Sequence, residues 1–344
     1  MIKPPKVAVV ILNWNGKKHL EAFLPSVALS EYPNLEIIVG DNASTDDSIN
    51  FLKKNFPSVS IIQNDQNYGF AEGYNKVLLN VEADYFILLN SDVEVTPNWI
   101  QPVIEQMESD SSIAAAQPKI LSYQDKTKFE HAGAAGGFID ILGYPFCRGR
   151  IFNTVESDRG QYDQPSEIFW ASGAAFFIKS SCWIEEGGLD ANFFAHMEEI
   201  DLCWRLKNRG YKIMYCPFST VYHLGGGTLN SESPYKTFLN FRNNLFMMQK
   251  NLPPLHSFFI IFIRFWLDFL SLIKFLFDGK PKNALAITKA HIDFLKNISR
   301  TKLKIVKDSS RFNSIGLYTG SIVFDYFIKG KVLFTDIFSS NINV

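Results

Sequence analysis

The stretch VAVVILNWNG at residues 7–16 decides the fold. Its first six residues are all apolar, and the turn-forming residues Asn13, Asn15 and Gly16 end the run. A short apolar run rich in Val and Ile that stops at a turn is typical of a buried strand in a parallel sheet. Similar runs recur further along the chain, at 36–39, 60–62, 85–89 and 113–116. Amphipathic stretches separate them, so the sequence predicts an α/β fold with βαβ units around a mostly parallel sheet.

Two helix starts are predicted from capping residues. Ser44 stands three residues before Asp47, and Thr96 precedes Pro97. Ser and Thr are favoured immediately before a helix, and Pro is favoured in its first turn. We therefore expect helices to begin just after Ser44 and Thr96.

Composition excludes several classes of protein. The 344 residues are 47% hydrophobic and 20% charged, which is typical of a globular chain and not of a disordered one. Lys and Arg number 34 against 35 Asp and Glu, so no broad basic surface indicates a nucleic-acid partner. The four cysteines are far apart and lack CxxC spacing, which favours buried reduced thiols over disulfides or a zinc site.

The N-terminal stretch has too few apolar residues before its polar break to act as a secretory signal, so we expect a cytoplasmic protein. No segment before residue 255 approaches the ~20 apolar residues of a membrane-spanning helix. Any contact with a membrane is therefore expected in the last quarter of the chain.

Polar or glycine-containing clusters follow four of the predicted strands: NWNG at 13–16, DNASTD at 41–46, NYGF at 67–70 and NSDVE at 90–94. Ligands of open α/β sheets bind beyond the carboxyl ends of the strands, so these clusters predict a binding crevice. The chain has no GxGxxG motif and no GxxxxGK[ST] loop, which argues against a dinucleotide-dependent oxidoreductase and a P-loop NTPase.

Seven stretches, in chain order, carry a resemblance to one family: VVILNWNG, VGDNASTDDS, NYGFAEGYN, LLNSDVEV, WASGAAFFI, FFAHMEEIDLCWR and VYHLGGG. Together they resemble the family 2 glycosyltransferases of the GT-A fold, within these the rhamnosyltransferase-like subgroup of bacterial surface-polysaccharide synthesis. The resemblance covers about the first 250 residues and implies a catalytic domain over residues 1–250. The oily last quarter predicts a helical, membrane-associating region over 251–344.

The resemblance also implies a divalent cation, Mg²⁺ or Mn²⁺, that stabilises the departing diphosphate of a sugar-nucleotide donor. Asp92 would hold this cation, and His223, which precedes a glycine run, would be a second ligand. Asn90 fills the first position of the acidic DxD pattern of the family, so it would contact ribose or water instead. Taken alone, Asp92 and His223 would be ordinary turn and loop residues.

The donor nucleotide would lie along the same strand ends. By resemblance, Asp41 would accept a hydrogen bond from a pyrimidine ring N–H, whereas Asp46 fits a structural role at a helix start. Gly69, Gly73 and Asn75 would admit the nucleotide or sugar, the alternative being glycines needed only for tight turning. The expected donor-binding residues are Asn13, Asn15, Asp41, Asn67, Gly69, Gly73, Asn75, Asn90 and Ser91.

Three carboxylates open a predicted helix at 198–205, where the helix dipole favours negative charge. The resemblance places Glu199 at the position of the catalytic base, with Glu where Asp is commoner. Its extra methylene keeps Asp201 and Glu198 as alternatives. One base without an opposing nucleophile favours inversion of the anomeric configuration over retention.

Acceptor or sugar contacts are expected from Trp170, Gly173 and Arg242. Trp170 could stack on a sugar ring, although buried tryptophans mostly belong to the core. Arg242 suits a phosphate group, although an Arg on a helix surface is equally consistent with the sequence.

Residues 255–277 are long and oily, but they contain Arg264, Asp268 and Lys274. These residues fall, with His256, Ser257 and Ser271, in a stripe of about 120° on a helix. A charge at the bilayer centre is costly, so we expect a helix that lies in the membrane interface or packs on the domain, and does not span.

A second amphipathic helix is expected at 283–299, followed by the basic residues Lys302, Lys304 and Lys307. Basic residues beside an oily helix favour an anionic membrane surface. The alternative is a soluble helical subdomain that covers the sheet.

These features predict an inverting, metal-dependent glycosyltransferase that uses dTDP-rhamnose, or next a UDP-sugar, and a lipid-linked glycan acceptor. It would act as a peripheral protein on the cytoplasmic face of the membrane. Two alternatives are a sugar-nucleotide nucleotidyltransferase, which lacks its glycine-rich basic loop here, and a non-catalytic membrane scaffold that kept the fold.

Overall fold

The computed structural model describes residues 3–225, 233–298 and 313–338. Two glycines of the run after His223, Gly226 and Gly227, lie outside the described residues. So do the three lysines of the basic stretch, Lys302, Lys304 and Lys307.

A nine-stranded sheet forms the centre of the molecule. Its strands are β1 (Val7–Asn13), β2 (Leu35–Asp41), β3 (Ser60–Gln63), β4 (Tyr85–Leu89), β5 (Val93–Val95), β6 (Ile113–Ser122), β11 (Ser166–Ile168), β12 (Ala175–Lys179) and β13 (Lys212–His223). Their order is β11-β13-β6-β12-β4-β1-β2-β3, with β5 on β13. Six strands point one way, and only β5, β11 and β12 run against them. The predicted α/β fold with a mostly parallel sheet is confirmed.

Alternate residues of β1 face two hydrophobic cores, one on each side of the sheet. Val7, Val9 and Ile11 pack in a core with α1 (Lys17–Ala28), α2 (Ser48–Asn55) and α4 (Gln101–Ser109). Ala8 and Val10 pack in the other core with α3 (Gly69–Leu78), α5 (Ser180–Glu186) and α6 (Glu198–Asn208). Because both faces of β1 are covered, its sequence is apolar throughout and does not alternate with polar residues.

A second, five-stranded sheet packs beside the first. It consists of β7 (Gly137–Asp140), β8 (Pro145–Cys147), β9 (Arg150–Ile151), β10 (Thr154–Val155) and β14 (Leu317–Tyr318), in the order β10-β9-β8-β7-β14. The strand β14 comes from the last part of the chain and pairs in parallel with β7.

Helices dominate the described part of the chain after residue 233. They are α7 (Pro234–Asn251), α8 (Pro254–Phe277), α9 (Pro281–Asn297), α10 (Ile322–Phe327) and α11 (Phe334–Phe338). The helices expected at 255–277 and 283–299 are thus present. The proposed division at residue 250 falls at the end of α7. Within residues 3–225, 233–298 and 313–338, no helix combines the length and apolarity that a membrane crossing requires.

Both predicted helix starts are wrong. Helix α2 begins at Ser48 and not after Ser44. The Ser44 hydroxyl instead accepts hydrogen bonds from the Asn13 side chain and the Asn15 backbone N–H at the end of β1. Helix α4 begins at Gln101, and the Thr96 hydroxyl donates instead to the carbonyl of Thr220 in β13. In both cases a tertiary hydrogen bond replaces the local cap.

The four cysteines, Cys147, Cys182, Cys203 and Cys216, are buried and unpaired, as their spacing predicts.

Candidate functional site

The carboxyl ends of β1 and β2 place two predicted donor-binding residues side by side. Asn13 and Asp41 are register partners, and the Asn13 amide nitrogen donates to Asp41 Oδ1 over 3.0 Å. The other carboxylate oxygen of Asp41 accepts from the backbone N–H of Ser44 at 2.9 Å. Asp41 is fully buried. These hydrogen bonds therefore fix the Asp41 carboxylate at the carboxyl end of β2.

The loops after β1 and β2 are tied together. Asn15, with a left-handed φ of 50°, accepts at its side-chain oxygen from the backbone N–H groups of Thr45 (2.7 Å) and Asp46 (3.2 Å). Asp46 accepts from the N–H of Lys17 at 3.1 Å and from that of Ser48 at 3.1 Å, at the starts of α1 and α2. The structural role expected for Asp46 agrees with these contacts.

Sequence reasoning missed Asn42, which joins β2 to the loop before α3. Its amide nitrogen donates to the Asn67 side chain and to the carbonyl of Gly69, both at 2.9 Å. Its oxygen accepts from Asn64 at 3.0 Å and from the N–H of Tyr68 at 3.2 Å. Asn42 lies in one of the polar clusters that pointed to the crevice, but nothing in the cluster marked it as the hub.

Gly69, Gly73 and Asn75 have packing roles in this structure. A Cβ on Gly69, whose φ is 75°, would lie 2.5 Å from the Phe194 ring, and one on Gly73 would lie 2.9 Å from Leu12. The Asn75 amide donates to the carbonyl of Leu189 at 2.7 Å and accepts from its N–H at 2.9 Å. Close packing requires glycine at both Gly69 and Gly73, and a turn with positive φ also requires it at Gly69.

Asp92 and His223 meet at the ends of β4 and β13. The loop after β4 enters β5, which pairs with the end of β13 so that Val93 faces His223. The distance between His223 Nε2 and Asp92 Oδ1 is 3.1 Å, and both side chains are buried. The Asn90 amide nitrogen lies 3.4 Å from the same Nε2. Ser91 lies close to the β1 end, with its hydroxyl 4.0 Å from the Cβ position of Gly16.

A third group, Glu130, was not found from the sequence. Its Oε2 lies 3.4 Å from His223 Nδ1, on the side of the ring opposite Asp92. Burial disfavours the charged imidazole, but hydrogen bonding to Asp92 and the nearby Glu130 carboxylate outweigh it and raise the pKa of His223 to about 10. A cation that binds Nε2 would therefore displace the proton from this nitrogen. Glu130 follows β6 in a loop without a strand-end motif, so no sequence signal pointed to it.

The donor set of Asp92 and His223 fits a divalent cation. One carboxylate oxygen and one imidazole nitrogen converge in a buried position, a mixed ligation that suits Mn²⁺ or Mg²⁺. Among the described residues, no group of three His, Cys, Asp or Glu side chains is arranged to hold a metal.

Glu199 faces the same end of the sheet from the first turn of α6. The bridge is the segment 172–174: the N–H of Asn90 donates to the carbonyl of Ala174, and the Cβ position of Gly173 lies 4.0 Å from Glu199 Cδ. A side chain at position 173 would therefore contact the Phe70 ring and the Glu199 carboxyl group.

Burial raises the pKa of Glu199 to about 7. The neighbouring Glu198 is more deeply buried, and burial together with the charge of Glu199 raises its pKa well above the ordinary value. A carboxylate with a pKa near neutrality is suited to accept a proton at physiological pH.

Asp201 is fully occupied by basic and amide partners. Its carboxylate accepts from Arg205 at 2.9 Å, from Lys250 at 2.8 Å and from Asn251 at 2.8 Å. These contacts join α6 to α7, and Asp201 has no exposed surface. Of the three carboxylates predicted as base, Asp201 is thus the one built into the scaffold.

The segment before Glu199 is strained. Phe194, His196 and Met197 have left-handed φ values of 64°, 70° and 73°. Non-glycine residues adopt this conformation at a free-energy cost, and such strain clusters at functional sites. The strained segment, residues 194–197, leads directly into the helix that carries Glu199.

Two side chains of α7 bind this region. The Asn243 amide nitrogen donates to the carbonyls of Phe193 (2.9 Å), Ala195 (2.9 Å) and His196 (2.8 Å). The Arg242 guanidinium donates to the carbonyl of Phe193 at 3.2 Å and to that of Asn192 at 2.9 Å. Arg242 was expected to contact a phosphate group, but in this structure its guanidinium binds backbone carbonyls.

Trp170 occupies the position of a core tryptophan, which was the alternative to a sugar-stacking role. Its indole N–H donates to the carbonyl of Phe138 at 2.8 Å, and its ring covers Gly137, where a Cβ would lie 2.1 Å from the ring. The residue joins the two sheets.

This mostly parallel sheet with polar side chains at its carboxyl edge is the GT-A fold of nucleotide-sugar glycosyltransferases. Residues 8–181 match the family model for glycosyl transferase family 2, and the chain belongs to this family. The interpretation as an enzyme is confirmed, and the nucleotidyltransferase and scaffold alternatives lose their basis.

Among curated relatives, the chain is 26% identical over 232 residues to an N-acetylglucosaminyl-diphospho-decaprenol L-rhamnosyltransferase of Mycobacterium tuberculosis, covering 62% of this chain and 75% of the relative. It is 22% identical over 246 residues to the low-salt glycan biosynthesis hexosyltransferase Agl10 of Haloferax volcanii, covering 69% and 73%. The resemblance to the rhamnosyltransferase-like subgroup is thus confirmed at the level of similarity.

Solved structures share the fold. Staphylococcus aureus TarS 1–349 in complex with UDP-GlcNAc has a TM-score of 0.56 at 14% identity, over 86% of this chain and 82% of that chain. The mannosyltransferase PcManGT of Pyrobaculum calidifontis in complex with GDP-Man and Mn²⁺ has a TM-score of 0.50 at 12% identity, over 89% and 83%. At these identities the likeness shows the fold alone.

Proposed function

We propose that the chain is an inverting, metal-dependent glycosyltransferase that moves a sugar, with dTDP-rhamnose as first donor and UDP-sugars next, to a hydroxyl of a lipid-linked glycan in surface-polysaccharide synthesis. The observation that carries the proposal is the placement of the Asp92–His223 pair and of Glu199 at one end of the sheet, joined through residues 172–174.

Donor binding falls to the strand ends. Asp41 would accept from a pyrimidine ring N–H, with Asn13, Asn15, Asn67, Asn90 and Ser91 around the nucleotide. Asp92 and His223 would hold Mg²⁺ or Mn²⁺, and the Mn²⁺ named in the PcManGT complex supports the choice of a divalent cation. When bound, the cation stabilises the negative charge on the leaving diphosphate.

Glu199 is the proposed base, with Glu198 the alternative. As the acceptor oxygen bonds to the anomeric carbon, its proton passes to the Glu199 carboxylate. The bond between the anomeric carbon and the diphosphate oxygen breaks, and the nucleoside diphosphate leaves. A single displacement of this kind inverts the anomeric configuration.

The relative from Mycobacterium tuberculosis supports the choice of donor sugar and acceptor, because its name specifies L-rhamnose transfer to a diphospho-decaprenol carrier. A lipid-linked acceptor would place the enzyme at the membrane. We therefore propose that it works as a peripheral protein on the cytoplasmic face, with the helices after residue 251 towards the lipid.

The first test is a thermal-shift screen of the purified protein against dTDP, UDP, GDP, CMP and ATP, with and without Mn²⁺. Ligands that bind the native state raise its apparent stability. We expect selective, Mn²⁺-dependent stabilisation by dTDP or UDP. Folded protein that responds to none of the five would contradict the proposal.

A transfer assay follows. dTDP-rhamnose and UDP-sugars are incubated with a polyprenyl-diphosphate-linked N-acetylglucosamine, and the product is identified by mass and by the NMR coupling of its anomeric proton. An inverted linkage is expected. Retention would remove the single-displacement mechanism, and transfer only from a UDP-sugar would replace the donor.

A further inference from the structure

Helix α8 turns two of its three charged residues, Arg264 and Asp268, inward, and leaves Lys274 exposed. Arg264 and Asp268 are 2% and 0% exposed, and they contact each other at 3.4 Å. Arg264 also donates to the carbonyl of Leu142 at 2.9 Å and to the Asn244 side chain at 2.6 Å, and it lies 3.7 Å from the centre of the Tyr144 ring. Contacts from the loop between β7 and β8 and from α7 thus satisfy the buried charge of Arg264.

Helix α9 completes this interior. Its His291 Nε2 lies 3.0 Å from the second carboxylate oxygen of Asp268, and the imidazole stacks on Phe265 of α8 at 4.5 Å between ring centres. The polar stripe predicted for α8 therefore exists, but its central residues, Arg264 and Asp268, face the protein interior. A soluble amphipathic helix has the opposite arrangement, with its apolar stripe on the core.

The opposite side of α8 is exposed and almost entirely apolar. Trp266 is 64% exposed and Phe258 is 65% exposed. We call this surface the apolar face, which consists of Leu255, Phe258, Phe259, Phe262, Ile263, Trp266, Phe269 and Leu270. No residue of the face carries a charge. Soluble proteins rarely expose an apolar patch of this extent, and such patches mark membrane or protein contacts.

Lysines accompany exposed apolar residues on the adjoining helix α9. Lys282, Lys289 and Lys296 are exposed and seven residues apart, so they fall within about 40° of one another on the helix. Beside this lysine row, α9 also exposes Leu285, Ile292 and Leu295.

We infer that the apolar face of α8 and the lysine row of α9 dock the protein onto an anionic lipid bilayer, with α8 lying in the plane of the interface. The inference deepens the membrane location proposed above by naming the surface and the charge of the lipid. Aromatic side chains insert at the level of the headgroups, and lysines at their edge attract anionic headgroups.

Composition favours a bilayer over a second copy of the chain as the partner. Five of the eight residues of the apolar face are Phe or Trp, side chains that favour the membrane interface. An anionic surface complements the charge of the lysine row beside the face.

The test uses the full chain and sedimentation with vesicles of phosphatidylcholine alone or mixed with phosphatidylglycerol. The variant F262D/W266D places two charges in the apolar face. Its matched control, L79D/I184D, makes the same change at two exposed apolar residues of other elements. We expect wild type and the control to bind anionic vesicles, and F262D/W266D to lose about tenfold or more in partitioning.

A charge-reversal pair tests the lysine row. K289E/K296E should weaken binding to anionic vesicles and leave binding to neutral vesicles unchanged, and added salt should reduce the difference. The control K53E/K54E reverses two exposed lysines on α2 and should bind like wild type.

Three outcomes would overturn the inference. The first is that wild-type protein binds no vesicle, and the second is that F262D/W266D binds vesicles as well as wild type does. The third is that wild type is a dimer in light scattering, binds no vesicle, and becomes a monomer in F262D/W266D, which assigns the face to a second copy. Nucleotide-induced thermal shifts are measured on every variant. Vesicle binding without any nucleotide response would contradict the proposed function but would still support the docking surface.

Discussion

The side-chain amide nitrogen of Asn243 lies 2.8 Å from the carbonyl oxygen of His196, a residue held in a left-handed conformation. The same nitrogen also binds the carbonyls of Phe193 and Ala195. One amide on α7 therefore supports the strained segment that sets the start of α6 and, with it, the position of Glu199.

Asn243→Ala should slow transfer because Glu199 loses its fixed position. A misplaced group costs between about ten- and a hundredfold in kcat. The donor-induced thermal shift should persist, since no donor-binding residue is changed. The control Asn80→Ala removes a similar amide-to-carbonyl bond at the end of α3. If kcat stays at the wild-type value, Asn243 does not position the base.

The pH profile of transfer should report Glu199. Its raised pKa means that the carboxyl is protonated, and unable to accept a proton, below a pH of about 7. We expect kcat/KM to fall about tenfold per pH unit below that value and to level off above it. A profile that stays flat between pH 5 and 8 would remove this assignment.

Glu199→Gln should bind the donor normally but lose transfer by at least about a hundredfold. Thermal shift and single-turnover kinetics separate the two effects. Glu198→Gln serves as the comparison, because the more deeply buried neighbour has the same chemistry one residue away. If Glu198→Gln is inactive and Glu199→Gln is not, the base is Glu198.

Asp92→Ala should abolish the Mn²⁺-dependent part of nucleotide stabilisation and of transfer, because the carboxylate oxygen next to His223 is lost. Titration of Mn²⁺ in the presence of dTDP or UDP measures the effect. The control Glu82→Ala removes an exposed carboxylate that precedes β4, whereas Asp92 follows this strand. Unchanged Mn²⁺ dependence in Asp92→Ala would contradict the metal assignment.

Asp201→Ala should act on stability. Removing one partner of a buried ion pair costs about 3–5 kcal/mol when the other charge loses its only partner. Here the loss should stay below that range, because Arg205 keeps Glu186 and Lys250 keeps Asp190. Urea unfolding measures the loss. At a temperature where the variant is folded, its transfer rate should approach that of wild type; a hundredfold loss in kcat with unchanged stability would return Asp201 to the chemistry.

The sequence predicts the sheet well because its signal is local. Each parallel strand is a short apolar run, and Tyr85–Leu89 is observed at the predicted bounds. The turn clusters also locate the crevice, since the carboxyl ends of parallel strands share an edge. Asp92 and His223 are 131 residues apart in the chain yet in contact, and only the family resemblance paired them.

What the sequence does not supply is the tertiary partner of each polar group. Ser44 and Thr96 have the chemistry of helix caps, but their hydroxyl groups form hydrogen bonds with Asn15 and Thr220, which are distant in the sequence. Glu130 and Asn243 carry no local motif, and their importance comes from what they touch. For Arg264 the helical period was readable, but which side of the helix meets the protein was not.

The strand β14 ties the far end of the chain to the second sheet. It pairs with β7, and Phe334 and Phe338 contact the rings of Phe138 and Phe146. Shortening the gene after residue 250, the obvious way to obtain a less oily protein for crystallisation, would uncover one edge of that sheet together with its aromatic cluster. Soluble protein is better sought by making the apolar face of α8 polar while the chain through residue 338 is kept.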